Sequence, residues 1–357
     1  MTFLTVMQFI VNIIVVGFML TVIVIGLIWL IKDKRQSQHS VLRNYPLLAR
    51  IRYISEKMGP ELRQYLFSGD NEGKPFSRND YKNIVLAGKY NSRMTSFGTT
   101  KDYQDGFYIQ STMFPMQRNE ISVDNTTLLS TFIYKIANER LFSREEYRVP
   151  TKIDPYYLSD DHAIKLGEHL KHPFILKRIV GQSGMSYGAL GKNAITALSK
   201  GLAKAGTWMN TGEGGLSEYH LKGNGDIIFQ IGPGLFGVRD KEGNFSEGLF
   251  KEVAQLSNVR AFELKLAQGA KTRGGHMEAE KVNEEIAKIR NVEPYKTINS
   301  PNRYEFIHNA EDLIRFVDQL QQLGQKPVGF KIVVSKVSEI ETLVRTMVRS
   351  EERRVGK

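Results

Sequence analysis

The stretch from Gly181 to Gly215 constrains the fold most, because it places one amphipathic helix between two glycine-rich turns. The apolar residues of this helix recur at spacings of three and four, so one face can lie on a sheet. They are Leu190, Ala194, Ile195, Leu198, Leu202 and Ala205. Gly206 then ends the helix, as a left-handed C-terminal cap would. The two turns, 183–188 and 210–215, are both expected to follow strands, and in parallel α/β folds ligands collect at those strand ends.

Further apolar runs continue the alternation of strands and helices. They are Ile227–Val238, Ala261–Lys271 and Pro327–Val334. Helices are predicted at Phe250–Ser257 and Ala310–Leu323, the second with Asn309 as N-cap and Gly324 at its end. Glu263 and Lys265 alternate with apolar residues in their strand, and such charges would need partners. Five strands alternating with helices predict parallel βα units, compatible with an open doubly wound sheet or a barrel.

The amino-terminal stretch from Phe3 to Ile31 contains no charged residue. As a helix it would be about 40 Å long, which is enough to cross a bilayer with some tilt. A cleaved signal peptide or a buried core helix is the alternative, but the run is too long for a signal core and lacks a basic start. Residues 1–32 are therefore expected to be a single-pass membrane anchor. The basic residues that follow place the rest of the chain in the cytoplasm by the positive-inside rule.

Residues 33–150 mix charges, aromatic residues and turn residues without strong periodicity. This pattern predicts an irregular α+β juxtamembrane region to which no chemistry can be assigned. The chain has no cysteine, which excludes disulfides, thiolate nucleophiles and iron–sulfur clusters within these residues. Its formal charge of +11 is not accompanied by nucleic-acid-binding motifs. A membrane surface explains the basicity more economically, and no nucleic-acid partner is expected.

Candidate site residues recur at the predicted strand ends. They are the Met185-Ser186 turn, the Asn210–Gly215 loop with Glu213, Gln268 with Lys271, and Lys331. Glycine turns let the backbone approach a planar ring, and nearby cations can stabilise negative charge on it. This set suits a flavin better than a metal, because the histidines are scattered and no metal-binding spacing appears. Taken singly, each feature has a plainer explanation: an ordinary turn, a solvated acid, or a surface lysine.

The ordered motifs resemble the FMN-binding domain of glutamate synthase, and within it the membrane-anchored, single-chain bacterial proteins. The motifs that carry the resemblance are Gly184-Met-Ser-Tyr-Gly188, Asn210-Thr-Gly-Glu-Gly-Gly215, Gln230–Val238, Lys265-Leu-Ala-Gln-Gly-Ala-Lys271 and Pro327–Val334. Coverage runs from about residue 177 to residue 348. The resemblance implies a (β/α)8 TIM barrel, here truncated to about five strands within residues 151–348, that holds FMN at its carboxyl-terminal face.

The resemblance also implies a reaction and roles for individual residues. Electrons would pass from FMN to an imine formed from ammonia and a 2-oxo acid, converting 2-oxoglutarate to glutamate. The implied flavin contacts are Gly184, Met185, Ser186, Asn210, Gln268 and Lys331. Glu213 and Lys271 are the implied catalytic pair facing the substrate, with the Lys271 ammonium binding a carboxylate. The electron donor is left open, and the alternative is a membrane-tethered barrel relative that binds a ligand without turnover.

Two departures from the family pattern put the substrate in question. The chain has Lys271-Thr-Arg-Gly-Gly-His276 where the family has a glycine-rich Lys-Pro-Gly motif, and Leu235 stands where an arginine is usual. The strands expected to bind the FMN phosphate are missing. The last residues, 349–357, are hypothesised to be an artefactual tail replacing a natural continuation, and the truncated piece is expected to be inactive by itself.

Overall fold

A computed structural model describes residues 3–74, 76–92, 112–117, 120, 122–124, 126–140, 143–269 and 274–355. The chain divides into two compact units. The first comprises Met1–Gln110 and Ile133–Val149, and the second comprises Ser111–Phe132 and Pro150–Lys357. Lys271 lies outside the described residues.

The first unit begins with a long apolar helix. Helix α1 (Phe3–Arg35) is followed by α2 (Ser40–Asn44), α3 (Leu48–Leu62), a π-helical turn (Arg63–Phe67) and α4 (Arg78–Tyr90). The part of α1 from Met7 to Arg35 is long and apolar enough to cross a membrane, and no residue of its most apolar window is buried within the protein. Helix α4 starts at a capping box, in which the Ser77 hydroxyl and the Asp80 carboxylate each accept a backbone N–H of the other residue.

Short antiparallel pairs precede the main sheet. Strand β1 (Val123–Asp124) pairs with β4 (Tyr157–Leu158), and β5 (Ile164–Leu166) pairs with β6 (Phe174–Leu176). The two long strands β2 (Leu129–Arg140) and β3 (Ser143–Ile153) pair with each other. The described parts of residues 33–150 are thus helices followed by strands.

A four-stranded parallel sheet organises the second unit. Its order is β12 (Val328–Lys331), β9 (Val259–Lys265), β8 (Ile227–Ile231) and β7 (Met209–Asn210), so neighbours in space follow one another along the chain. A doubly wound sheet reverses its strand order at a switch point. No reversal occurs among the strands described, although four strands do not close a barrel.

The strand predicted before the Met185 turn is reduced to a single parallel bridge between Gln182 and Met209. Two backbone hydrogen bonds flank it: the Gln182 N–H donates to Trp208 (3.0 Å) and the Asn210 N–H donates to Gln182 (3.0 Å). Glycines at 181 and 184 bracket this segment, and glycine weakens strand interiors because it has no side chain to pack. The sheet therefore has four regular strands where about five were predicted.

Helices precede, connect and follow the strands of the parallel sheet. They are α5 (Lys192–Lys204), α6 (Glu218–Leu221), α7 (Glu247–Gln255), α8 (Glu284–Arg290), α9 (Ala310–Gly324) and α10 (Val337–Val355). Between β9 and α9 the chain also forms a short antiparallel pair, β10 (His276–Met277) with β11 (Ile298–Asn299), and a 3₁₀ turn at Ala279–Lys281.

The core of the second unit lies between the sheet and helices α5, α7 and α9. Phe262 on β9 is central to it: its ring lies 4.5 Å from that of Phe250 and 6.0 Å from that of Phe229, centre to centre. Ile195 on α5 and Leu320 on α9 are fully buried against this cluster. The apolar helix faces identified in the sequence therefore pack on the sheet.

The observed ends of the helices agree with the predicted ends better than those of the strands do. Gly206 adopts the predicted left-handed conformation (φ 66°), and the Asn309 side chain caps α9 by accepting the Asp312 N–H. At its other end α9 stops at Gly324 as predicted, and the residue after it, Gln325, is left-handed (φ 53°). The run predicted as a strand to Val238 ends at Ile231, because the following Gly-Pro-Gly sequence cannot continue a ladder.

Candidate functional site

A buried polar cluster ties three parallel strands together near their carboxyl ends. Glu263 Oε1 on β9 accepts hydrogen bonds from Asn210 Nδ2 on β7 (2.9 Å) and from Gln230 Nε2 on β8 (2.6 Å). Both amide side chains belong to residues only 2% exposed. Asn210 Oδ1 in turn accepts the Gly212 N–H at 2.9 Å. Both ends of the Asn210 amide are therefore engaged by the protein, and its role as a flavin contact stays a prediction.

The second polar cluster joins Glu213, Lys265 and Gln268 around one ammonium group. Lys265 Nζ donates to Glu213 Oε1 and to Gln268 Oε1, each at 2.9 Å. The Lys265 side chain is 11% exposed and that of Glu213 is 18% exposed, so the ion pair is largely shielded from water. These three residues line a cavity of about 130 Å³, together with Pro233, Gly274 and Gly275 among others. The cavity therefore holds a cation and a carboxylate in contact.

Glycines allow the two predicted turns to lie directly on each other. A Cβ atom on Gly212, whose φ is 64°, would lie 2.8 Å from the Ser186 backbone nitrogen. A Cβ atom on Gly184 would lie 3.1 Å from the Gly212 Cα and 3.2 Å from Asn210 Oδ1. The Met185 N–H donates to the Asn210 carbonyl at 3.1 Å. The structure thus brings the turn at 184–186 onto the loop that carries Asn210 and Glu213.

His220 on α6 fixes the Met185 turn through a hydrogen bond to its backbone. Its Nδ1 accepts the Ser217 N–H at 3.2 Å and lies 2.8 Å from the Ser217 hydroxyl, while its Nε2 lies 2.9 Å from the Met185 carbonyl oxygen. The side chain is fully buried, and burial lowers the pKa of His220. We therefore assign the neutral ring with its proton on Nε2, donated to Met185.

Arg290 on α8 is a buried cation beside the Glu213 loop. It is 7% exposed, its Nη2 donates to the Tyr187 carbonyl at 3.3 Å, and its guanidinium lies 5.1 Å from the Phe236 ring centre. Its buried Nε has no hydrogen-bond partner. Burial lowers the pKa of Arg290, whereas the charge of Glu213 opposes that shift. A buried, incompletely bonded guanidinium is suited to an anionic ligand.

Two predicted residues remain, Lys331 and Lys271, and the structure describes only Lys331. Lys331 on β12 is exposed and stands in register with Lys265 on β9, and its carbonyl accepts the Leu266 N–H at 3.0 Å. Lys271 is not among the described residues, so its predicted pairing with a substrate carboxylate stays a prediction. Within the described part of the chain, no group of three or more His, Asp or Glu side chains could hold a metal ion.

The site residues that the sequence did not predict include Lys265, His220 and Arg290. Lys265 had a signal, since its charge interrupts an apolar strand and would need a partner. His220 and Arg290 had none, because each lies on a short helix whose packing partners are distant in the chain. Their roles come from tertiary contacts with Met185 and Tyr187.

A sequence model of the conserved region in glutamate synthase matches residues 117–351, which include both clusters and both glycine turns. The chain belongs to the glutamate synthase family. The resemblance read from the motifs is thereby confirmed, and it supports an oxidoreductase of glutamate synthase type in general.

The chain is similar to the glutamate synthase large subunit-like protein YerD of Bacillus subtilis (strain 168), with 53% identity over 342 residues, 94% of this chain and 65% of that protein. It is 32% identical to the archaeal-type glutamate synthase [NADPH] of Thermotoga sp. (strain RQ2) over 176 residues, 48% of this chain and 32% of that protein. The archaeal glutamate synthase [NADPH] of Methanocaldococcus jannaschii is 36% identical over 151 residues, 42% of this chain and 27% of that protein. The chain thus spans less than two thirds of these relatives.

Proposed function

We propose that the protein is an FMN-dependent oxidoreductase that reductively aminates a 2-oxo acid, converting 2-oxoglutarate to glutamate. The observation that carries this proposal is the Lys265–Glu213 pair, 2.9 Å apart in a cavity at the carboxyl ends of parallel strands. Ligands bind at this end of parallel sheets. The match to glutamate synthases covers the same residues and supports the reaction class.

The parallel sheet is proposed to be one arc of a (β/α)8 barrel. Its strands follow one another in chain order, and a bridge at Gln182 extends the order by one segment. Sequential order without reversal is the arrangement of a barrel wall.

Groups in the cavity and beside it support a proposed FMN site. The backbone of 184–186 offers a flat glycine turn, Gln268 lies at the cavity wall, and Lys265 and Lys331 bring two cations to adjacent strand ends. A Cβ atom on Gly275 would lie 3.1 Å from Glu213 Oε1, so glycine leaves the cavity open beside that carboxylate. The residues that would hold the ring are Gly184, Met185, Ser186, Asn210, Gln268 and Lys331. When bound, FMN would supply the two electrons that reduce the imine.

The protein's own residues would bind and orient the substrates. Arg290, with its unpaired Nε, and Lys271 would bind the carboxylates of the 2-oxo acid. Glu213 is held by Lys265 and would accept hydrogen bonds from ammonia or from the imine N–H. The lysine ammonium groups would stabilise the negative charge of the reduced ring. The electron donor is a further partner that this chain does not identify, and no nucleic acid is proposed to bind.

A second function is favoured by one observation. The Asn210 and Gln230 side chains already donate hydrogen bonds to the Glu263 carboxylate, and the Met185 N–H already donates to a backbone carbonyl. Donors engaged in this way need rearrangement before they can contact a flavin. The alternative is therefore a membrane-tethered relative that binds a ligand or partner without turnover.

Cofactor content separates the two functions. We expect protein purified in detergent, in the longest natural chain that contains these residues, to carry a stoichiometric yellow flavin that heat releases as FMN. The Glu213→Gln variant should keep the flavin, since its proposed role concerns the substrate, and should lose turnover. Colourless protein that also fails to take up added FMN would exclude the flavoenzyme and favour the alternative.

We also propose that α1 is a single-pass membrane anchor with the barrel domain in the cytoplasm. Its apolar length and the basic residues Lys32, Lys34 and Arg35 at its end support this placement. Resistance to alkaline extraction from membranes would be the expected behaviour. Release into the soluble fraction would contradict it.

A further inference from the structure

Helix α3 carries an apolar stripe on its outer face. Its members recur at spacings of three or four residues along the helix, and their exposed fractions are 69% for Leu48, 64% for Ile51, 58% for Ile54 and 52% for Met58. At 100° per residue, Ala49 lies nearly opposite this stripe, and it is only 4% exposed. A helix of a water-soluble domain shows the reverse arrangement, with its apolar face packed inward. The stripe of α3 is therefore arranged for an apolar environment outside the unit.

The amino-terminal end of α3 is fixed to the charged end of α1. Arg50 Nε and Nη2 donate to the two Asp33 carboxylate oxygens at 2.9 and 2.5 Å, and the Leu47 N–H donates to Asp33 Oδ2 at 3.2 Å. The Arg50 guanidinium also lies 4.7 Å from the Trp29 ring centre. Trp near the end of an apolar span is typical of the membrane–water interface. These contacts place α3 at the level where a membrane surface would meet α1.

The charge of this segment suits an anionic lipid surface. Between Lys32 and Arg63 the chain has eight lysines and arginines and three acidic residues. Arg52 and Lys57 lie on α3 outside the apolar stripe, where their long side chains can reach lipid headgroups. A helix with an apolar stripe and basic flanks is the form that lies in a membrane interface.

We propose that α3 is an interfacial helix that lies on the cytoplasmic membrane surface, with Leu48, Ile51, Ile54 and Met58 inserted at the boundary between headgroups and acyl chains. This inference rests on the proposed membrane span of α1. It adds a second, in-plane contact with lipid, and its partner is a bilayer containing anionic lipid. Besides burying the stripe, the contact would bring the basic flanks of α3 to the headgroups.

Single cysteines test this placement cleanly, because the chain has no native cysteine. The full chain would be reconstituted in vesicles of phosphatidylcholine and phosphatidylglycerol, with an environment-sensitive fluorophore on one introduced cysteine at a time. Labels at Ile51→Cys, Ile54→Cys and Met58→Cys should be quenched by lipid-borne nitroxide and protected from aqueous iodide. Labels at Glu56→Cys and Lys57→Cys, on the other side of the same helix, should show the opposite behaviour.

A label at Val16→Cys, in the middle of α1, separates failure of this inference from failure of the anchor. If Val16→Cys is quenched by lipid while all α3 labels are quenched equally by iodide, the anchor stands and the interfacial helix is refuted. Protection of the stripe from both quenchers would also refute it, since a protein surface would then cover the stripe. A Val16→Cys label reached by iodide would overturn the anchor, and the interfacial helix with it.

Discussion

The ion pair between Lys265 and Glu213 is expected to contribute measurably to the stability of the second unit. Two unit charges 2.9 Å apart attract by roughly 6 kcal/mol at an effective dielectric constant of about 20, the value that suits partly buried sites. Ordering the two long side chains and removing them from water together cost about 4 kcal/mol. A double-mutant cycle with Lys265→Met and Glu213→Gln should therefore give a coupling energy of about 2 kcal/mol.

The cycle can be measured by urea unfolding in detergent, followed by the fluorescence of Trp208 in a Trp29→Phe background. An exposed pair in the same unit serves as the control. Lys222 and Glu218 are 3.8 Å apart with side chains 48% and 64% exposed, so their cycle should give less than about 0.5 kcal/mol. Additive effects of Lys265→Met and Glu213→Gln, within the error of that control, would refute a coupled pair.

Three further substitutions test the packing of the site and its supporting helices. Because burial lowers the pKa of His220, the unfolded chain binds a proton on this residue more readily than the folded chain does. The contribution of neutral His220 to the stability should therefore be complete above the unfolded pKa of about 6.5 and should be lost as the pH falls below that value. The His220→Gln variant should show a weaker dependence of the urea midpoint on pH. Gly212→Ala should cost about 1–3 kcal/mol in urea unfolding, since its φ is 64° and its Cβ would meet the Ser186 nitrogen, whereas Gly201→Ala, in open space on α5, should be neutral or stabilising. Asn309→Ala should lower the melting temperature through the loss of about 1 kcal/mol of helix capping, and an unchanged melting temperature would contradict the cap.

Helical elements were predictable because their signals are local. The apolar spacing of α5, the left-handed glycine after it and the Asn309 cap of α9 all depend on residues within a few positions of one another. The limits of the strands were not predictable, since the length of a strand depends on the strands that pair with it. β9 runs from Val259 to Lys265 because its pairing with β8 begins at Val259 and its pairing with β12 ends at Lys265, whereas the sequence pattern continued to Lys271.

The site was predictable in outline for a different reason. Glycine turns and a carboxylate at strand ends mark where parallel strands can present ligand-binding groups, and Glu213 does lie in such a cavity. The partners of these groups were not predictable. Glu263 accepts hydrogen bonds from the Asn210 amide, which was predicted to contact the flavin, and from the Gln230 amide, while Lys265 pairs with Glu213. These partners lie 53, 33 and 52 positions apart in the chain.

Anaerobic single turnover tests the proposed chemistry most directly. Protein carrying FMN would be bleached with a stoichiometric reductant and then mixed with 2-oxoglutarate and ammonia. Rapid return of the oxidised flavin spectrum with formation of one glutamate per flavin is expected, because two electrons pass from the reduced flavin to the imine. Neither substrate alone should restore the spectrum. A flavin that stays bleached with both substrates present would contradict a glutamate synthase reaction in this site.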